Sequence, residues 1–142
     1  MEKSLLIKDL CARLPYGVQV QDTRCGISGK LHDMLVFPLY KGNNIYDYIA
    51  TTNFYTDCYY DDIVLFKPYL FPLSSMTIEQ EKELSKLGVS YGEYALHDDT
   101  RGLGIMVDEA YIFFEFCYKH HIDFLGLIKK GLAIDATNLN IY

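Results

Sequence analysis

The sequence predicts an α+β fold with an N-terminal helix, an antiparallel β-meander or small barrel, and C-terminal helices packed on one side. Helical spacing of apolar residues in segment 1–14, short strands with tight turns in 17–66, and a strongly apolar helix over 108–121 support this class. The sheet alone would leave an apolar face, which that last helix is apolar enough to cover. The 142 residues fit one domain, 1–142.

Composition narrows the functional classes. Half of the residues are hydrophobic and 23% are charged, which excludes a disordered chain. The net charge of −6 and a single basic doublet, Lys129-Lys130, argue against nucleic-acid binding. No secretory signal and no run of ~20 apolar residues are present, so we expect no membrane association. Four scattered cysteines without a CxxC pair favour free thiols and a cytoplasmic location.

The N-terminal helix is predicted to span 1–14 and to lead directly into a strand. Pro15 disfavours helical geometry at the preceding residue, and Gly17 permits the backbone angles of a corner. After the corner, Val18 and Val20 alternate with glutamines, as on a half-buried strand. The apolar residues at helical spacing are Leu6, Ile7, Leu10, Cys11 and Leu14.

The β region is predicted to run from 17 to 66. Turn-forming residues occur at 22–24 and 28–30, and Lys41-Gly-Asn-Asn44 is a hairpin signal because Gly and Asn tolerate positive φ. Further strands are expected over 45–50 and 59–66, while Pro38 indicates an edge or a bend. Segment 67–76, which contains two prolines, is predicted to be an extended connector.

The helical region is predicted to occupy 77–142. Thr77 and Gln80 match a capping box, and Gly88 is a stop for the helix that follows. An irregular loop is expected over 89–106. In the helix over 108–121, polar residues form one narrow stripe, so the remaining residues, Tyr111 among them, are expected to be buried. Asp123 is expected to cap a short helix that runs through Lys130.

Three segments resemble a group of short uncharacterised proteins from gut Bacteroidetes genomes, which often lie in prophage or mobile regions. The segments are Lys8-Asp-Leu-Cys-Ala-Arg-Leu-Pro-Tyr-Gly-Val18, Lys67-Pro-Tyr-Leu-Phe-Pro-Leu-Ser-Ser-Met-Thr77 and His120-His-Ile-Asp-Phe-Leu-Gly-Leu-Ile-Lys-Lys-Gly-Leu-Ala-Ile134. The resemblance covers both ends and the mid-chain connector. It implies a bacterial cytoplasmic setting and no particular activity.

Tyrosine supplies the main candidate binding face, since the chain has 13 Tyr, 8 Phe and no Trp. Tyr46, Tyr48, Tyr59 and Tyr60 lie among aspartates, and protein interfaces are enriched in tyrosine. The alternative is an outer sheet face whose aspartates increase solubility. We predict a non-catalytic protein-binding or adaptor module whose partner is another protein or a second copy of the chain.

Two other hypotheses follow from the histidines. His97, as an acid or base, and Arg101, as an anion holder, would serve a small enzyme or an anionic-ligand-binding domain in a loop over 97–101. Cys117, His120 and His121 have the i, i+3, i+4 spacing of metal ligands, and His97, Asp98 or Asp123 would complete such a site. However, the sequence has no second ligand pair at a diagnostic spacing, and histidines also favour helix ends. We therefore predict no metal, no cofactor and no catalytic residue.

Overall fold

The computed structural model describes residues 2–52, 65–89 and 107–142, and these adopt a mixed α+β fold, as predicted. Their helices are α1 (Glu2–Arg13), α2 (Ile78–Lys86) and α3 (Val107–Lys119). Their strands are β1 (Gln19–Asp22), β2 (Ser28–Lys30), β3 (Met34–Lys41), β4 (Asn44–Thr52), β5 (Phe66–Pro72), β6 (Ile122–Asp123) and β7 (Ile134–Asp135). The predicted loop over 89–106, apart from Val89, and most of the predicted strand over 59–66 lie outside the described residues.

The predicted passage from helix to strand is confirmed. α1 ends at Arg13 and a single 3₁₀ turn, Leu14–Tyr16, follows it. Gly17 then adopts a φ of 70°, which a side chain would disfavour, and its N–H donates to the carbonyl of Leu14 at 3.2 Å. The corner places Tyr16 beside the end of α1 and starts β1 two residues later.

The larger described sheet is open and mixed, so the expected antiparallel meander or barrel is not confirmed. Its strands run in the order β2-β1-β5-β6, and β7 also pairs with β5. β1 is antiparallel to β2 and β5, whereas β6 and β7 are both parallel to β5. The parallel pairs arise because the chain returns to β5 after α3, a long-range connection that local turn signals do not reveal.

The expected connector over 67–76 is wrong, since residues 66–72 form β5, the strand that pairs with three others. Pro68 fits because it lies opposite Val20, three pairs along the ladder from the hydrogen-bonded pair in which the Thr23 N–H donates to the Leu65 carbonyl. Hydrogen-bonded pairs alternate along an antiparallel ladder, so no N–H is required at Pro68. Proline therefore did not prevent pairing here.

β3 and β4 form a separate two-stranded antiparallel sheet. Its predicted turn is confirmed, since Lys41 pairs with Asn44 and Gly42 has a φ of 64°. The register shifts between Leu39 and Tyr40, which leaves one extra residue, Tyr46, on β4. Among the described strands, β3 pairs with β4 alone, in agreement with the edge position indicated by Pro38.

α2 has the predicted capping box and the predicted glycine stop. The Thr77 hydroxyl accepts from the N–H of Gln80 at 3.2 Å, and the Gln80 side chain accepts from the N–H of Thr77 at 2.9 Å. At the other end Gly88 has a φ of 87°, and the N–H of Val89 reaches back to the carbonyl of Leu84 at 3.3 Å. Leu84 and Val89 are both buried, which completes a Schellman ending.

Two hydrophobic clusters pack around this framework. The first joins α1, β1 and β5 through Leu6, Leu10, Val18, Val20 and Leu70, with Leu127 and Leu132 from the C-terminal segment. The second joins α2, α3 and β6 through Leu84, Val89, Phe113, Phe116, Cys117 and Ile122. Along the described ranges, no helix is both long and apolar enough to cross a membrane.

The helix expected from Asp123 to Lys130 is wrong, because this segment is a series of turns after β6. Asp123 therefore caps no helix; instead its two carboxylate oxygens accept from the N–H groups of Leu127 and Ile128, each at 2.8 Å, and hold this series of turns together. Gly126 has a φ of 67° inside the segment, which interrupts helical geometry. Gly131 ends it with a φ of 70°, and the chain continues into β7.

Candidate functional site

Most of the residues selected from the sequence lie where the structure gives no side-chain description. His97, Arg101, Tyr59 and Tyr60 fall outside the described residues. Tyr46 and Tyr48 lie on β4, Tyr46 at the extra residue and Tyr48 opposite Pro38, and their backbone positions alone are described. The protein-binding and ligand-binding roles assigned to these six residues stay predictions.

The described residues contain a fully buried ion pair that sequence reasoning missed. Arg13 and Asp9 are 0% exposed and lie one turn apart on α1. The guanidinium contacts both carboxylate oxygens, with Nε to Oδ2 at 2.8 Å and Nη2 to Oδ1 at 3.0 Å. Burial raises the pKa of the Asp9 carboxyl, and Arg13 opposes that rise. A signal was present, because both residues share the apolar face of α1 with Leu6 and Leu10.

Arg13 also joins α1 to two distant segments. Its Nη1 donates to the Cys117 carbonyl at 3.2 Å, in the last turn of α3, and Nη2 donates to the Ile122 carbonyl at 2.8 Å, in β6. The guanidinium also lies 5.1 Å from the ring centre of Tyr118. The Arg13 guanidinium also interacts favourably with the C-terminal end of α3, because that end of the helix dipole is negative. We call this group of contacts the Arg13 clamp; its partners are Asp9, Cys117, Tyr118 and Ile122.

His121 and Tyr142 form a stacked pair beside the clamp. Their ring centres are 4.0 Å apart with an angle of 11° between planes. The Tyr142 hydroxyl donates to the Tyr69 carbonyl at 2.7 Å and accepts from the Gln19 N–H at 3.1 Å. His121 is 7% exposed and has a φ of 56°, so it ends α3 in a left-handed conformation. Burial, together with Arg13 and His120, lowers the pKa of His121 to about 4, so the ring is neutral near pH 7.

The metal hypothesis for Cys117, His120 and His121 finds each side chain with a different neighbour. Cys117 is buried in the α2–α3 cluster, the Nε2 of His120 lies 3.2 Å from the Glu83 carboxylate, and His121 stacks on Tyr142. Burial raises the pKa of the Cys117 thiol to about 12, which keeps it protonated and unreactive. Over residues 2–52, 65–89 and 107–142, no group of three or more His, Cys, Asp or Glu is arranged to hold a metal ion.

One side of α3 presents an exposed aromatic surface, and the expected burial of Tyr111 is wrong. Tyr111 is 71% exposed, because it lies one turn before Glu115 and two turns before Lys119, on the polar stripe of the helix. The Tyr16 hydroxyl, from the turn after α1, donates to the Glu115 carboxylate at 3.3 Å. Partial burial raises the pKa of Tyr16, and Glu115 and Tyr111 add to that rise. We call these three residues, Tyr16, Tyr111 and Glu115, the tyrosine surface.

The chain was compared with protein families, curated proteins and solved structures. The chain matches no protein-family model, no curated protein and no solved structure. The resemblance to Bacteroidetes mobile-region proteins therefore stays a prediction.

Proposed function

We propose that this chain is a small, non-catalytic protein-binding or adaptor module of the bacterial cytoplasm, of mobile-element origin. The single observation that carries the proposal is the tyrosine surface, where Tyr111 is 71% exposed one turn before Glu115, the carboxylate that accepts from the Tyr16 hydroxyl. Tyrosine gives a large contact area with few rotatable bonds, so ordering it in an interface costs little entropy.

The contrast along α3 supports this proposal. The helix buries Phe113, Phe116 and Cys117 in the second cluster, yet Tyr111 faces away from that cluster. A single exposed apolar residue is ordinary on any protein. Here, however, Tyr111 lies one turn before Glu115, whose carboxylate accepts a hydrogen bond from a second tyrosine, Tyr16, and tyrosine is enriched at protein interfaces.

Affinity capture from a native bacterial lysate tests the proposal. The full chain serves as bait beside Tyr111→Ser, which removes the exposed ring, and Ile78→Ser, which removes an apolar side chain that is 65% exposed on α2. Both are surface changes expected to alter the free energy of unfolding by no more than about 0.5 kcal/mol. We expect a protein that is retained by the wild type and by Ile78→Ser and is depleted with Tyr111→Ser.

Two results would count against parts of this proposal. If the wild type retains only the proteins found on empty beads, across several growth states including phage induction, the protein-binding function is contradicted. If a partner is retained equally by Tyr111→Ser, the chain binds protein through another face and the role of the tyrosine surface is contradicted.

A further inference from the structure

We infer that the tyrosine surface recognises an arginine side chain presented by the partner protein, an inference that rests on the protein-binding function proposed above. Such a site needs a carboxylate with an unused hydrogen-bond acceptor, an aromatic ring beside it, and a rigid scaffold that fixes their relative positions. Each of these is present among the described residues.

The carboxylate is Glu115. Lys119 lies one turn further along α3, where it would ordinarily pair with Glu115, but its ammonium donates to Glu83 on α2 at 2.9 Å. Within the described part of the chain, Glu115 accepts one hydrogen bond, at Oε1 from Tyr16, and forms no ion pair. Its Oε2 accepts from none of the described residues, and a guanidinium carries several donors in one plane that suit such an oxygen.

The aromatic face is supplied by Tyr111 and Tyr16. Tyr111 is 71% exposed one turn before Glu115, so a cation bound at the carboxylate lies within reach of its ring. Arginine stacks on tyrosine faces more readily than lysine, because its guanidinium is planar and weakly hydrated. The Lys119 ammonium, one turn beyond Glu115, donates to Glu83, and this bond directs it toward α2.

The surface is held together by the Arg13 clamp. Tyr16 and Glu115 come from segments 99 residues apart, and their contact requires the end of α1 to lie against the last turns of α3. Arg13 fixes that approach by donating to the Cys117 carbonyl at 3.2 Å, two residues beyond Glu115. The net charge of −6 would also favour the approach of a cationic partner segment.

A titration of the full chain with two blocked tripeptides, followed by NMR at constant ionic strength, tests the inference. The probes are acetyl-Gly-Arg-Gly-amide and its lysine counterpart. We expect saturable shifts of the Tyr16 and Tyr111 ring signals with the arginine peptide and weaker binding of the lysine peptide. Glu115→Gln should weaken arginine-peptide binding about threefold, which is typical of one exposed ion pair. Glu79→Gln, an equal change of charge at an exposed site on α2, should leave it unaltered.

The inference is overturned if the two peptides bind equally well, or if Glu115→Gln binds the arginine peptide as tightly as the wild type does. The lysate experiment separates this failure from failure of the proposed function. A partner that is lost with Tyr111→Ser, in a chain that does not bind the arginine peptide, leaves protein binding intact and removes the arginine assignment. Selective arginine-peptide binding that depends on Glu115 supports the inference whether or not the lysate supplies a partner.

Discussion

At Arg13, one buried guanidinium serves three segments of the chain. It neutralises Asp9 within α1 and donates to backbone carbonyls at the end of α3 and in β6. Burial of a charge carries a desolvation cost that its partners offset, whereas removal of one partner leaves the other charge buried without compensation. Substitution of Arg13 should therefore destabilise the protein more than substitution of an exposed arginine.

Arg13→Met should lower the free energy of unfolding by about 3–5 kcal/mol, because Asp9 then remains buried without its cation. The double variant Asp9→Leu with Arg13→Met should recover much of that loss, since no uncompensated charge remains. Urea denaturation measures both. Lys119→Met is the control: it removes an ion pair whose side chains are 55% and 40% exposed and should cost no more than about 1 kcal/mol. Equal losses in the single and double variants would contradict the buried-charge argument.

His121 predicts a dependence of stability on pH. Its pKa falls from an ordinary value of 6.5 to about 4 on folding, mainly through burial. As the pH falls, His121 therefore becomes protonated in the unfolded chain before it does so in the folded protein. The free energy of unfolding is about 3 kcal/mol higher above pH 6.5 for this reason, and that contribution is lost as the pH falls to 4.

The measurement is the free energy of unfolding at several pH values for the wild type and for His121→Asn. Asn tolerates the positive φ at this position and does not titrate. The variant should be less stable at pH 8, because it loses the stack on Tyr142, but it should lose less stability than the wild type between pH 6.5 and 4. Parallel curves for the two proteins would exclude His121 as the source of the pH dependence.

At the scale of single elements, α2 is stabilised by a capping box at its N-terminus and by a glycine stop at its C-terminus. Thr77→Ala removes the hydroxyl that accepts from Gln80 N–H and should lower stability by about 1 kcal/mol. Ser85→Ala, at an exposed position inside the same helix, should have little effect or stabilise slightly, because alanine has the higher helix propensity. Thermal unfolding compares the two variants. An equal effect of both changes would contradict a stabilising role for the Thr77 cap.

Several elements specified by neighbouring residues were predicted correctly, although the turn expected at 28–30 forms β2 and the helix expected over 123–130 does not form. Elements governed by distant contacts were missed. The corner at Pro15 and Gly17, the capping box at Thr77 and the turn at Gly42 are each specified within a few residues, and the structure contains all three. β5 was missed because its pairing with β6 and β7 brings together residues more than 50 positions apart. The two prolines of this segment, Pro68 and Pro72, led to the prediction of a connector, but they are compatible with the pairing of β5.

In the candidate site too, local sequence patterns were predicted correctly and features that depend on distant contacts were missed. Asp108, Glu115 and Lys119 predicted a polar stripe on α3, but Tyr111 was assigned to the core because tyrosine counts as apolar on a helical wheel. Its exposure depends on which face of α3 packs against α2 and β6. The Arg13 clamp was missed for a related reason, since the two carbonyls that accept from Arg13 lie more than 100 residues further along the chain.

At the scale of the whole molecule, the clamp links stability to the surface proposed for binding. The same guanidinium that joins α1 to α3 sets the distance between Tyr16, just after α1, and Glu115, within α3. The first hydrophobic cluster holds α1 against the sheet and the second holds α3 against α2 and β6. Arg13 lies where these two packed regions meet, so a change there should affect both.

Amide hydrogen exchange of Arg13→Lys tests this central claim most directly, because lysine keeps the charge and loses the planar set of donors. Arg24→Lys, at an arginine whose side chain is 43% exposed in its pair with Asp22, is the matched control. We predict faster exchange in α1, in the last turns of α3 and in β6 together, with the control close to wild type. Faster exchange confined to α1, or no change with Arg13→Lys, would contradict the claim that Arg13 joins these three segments.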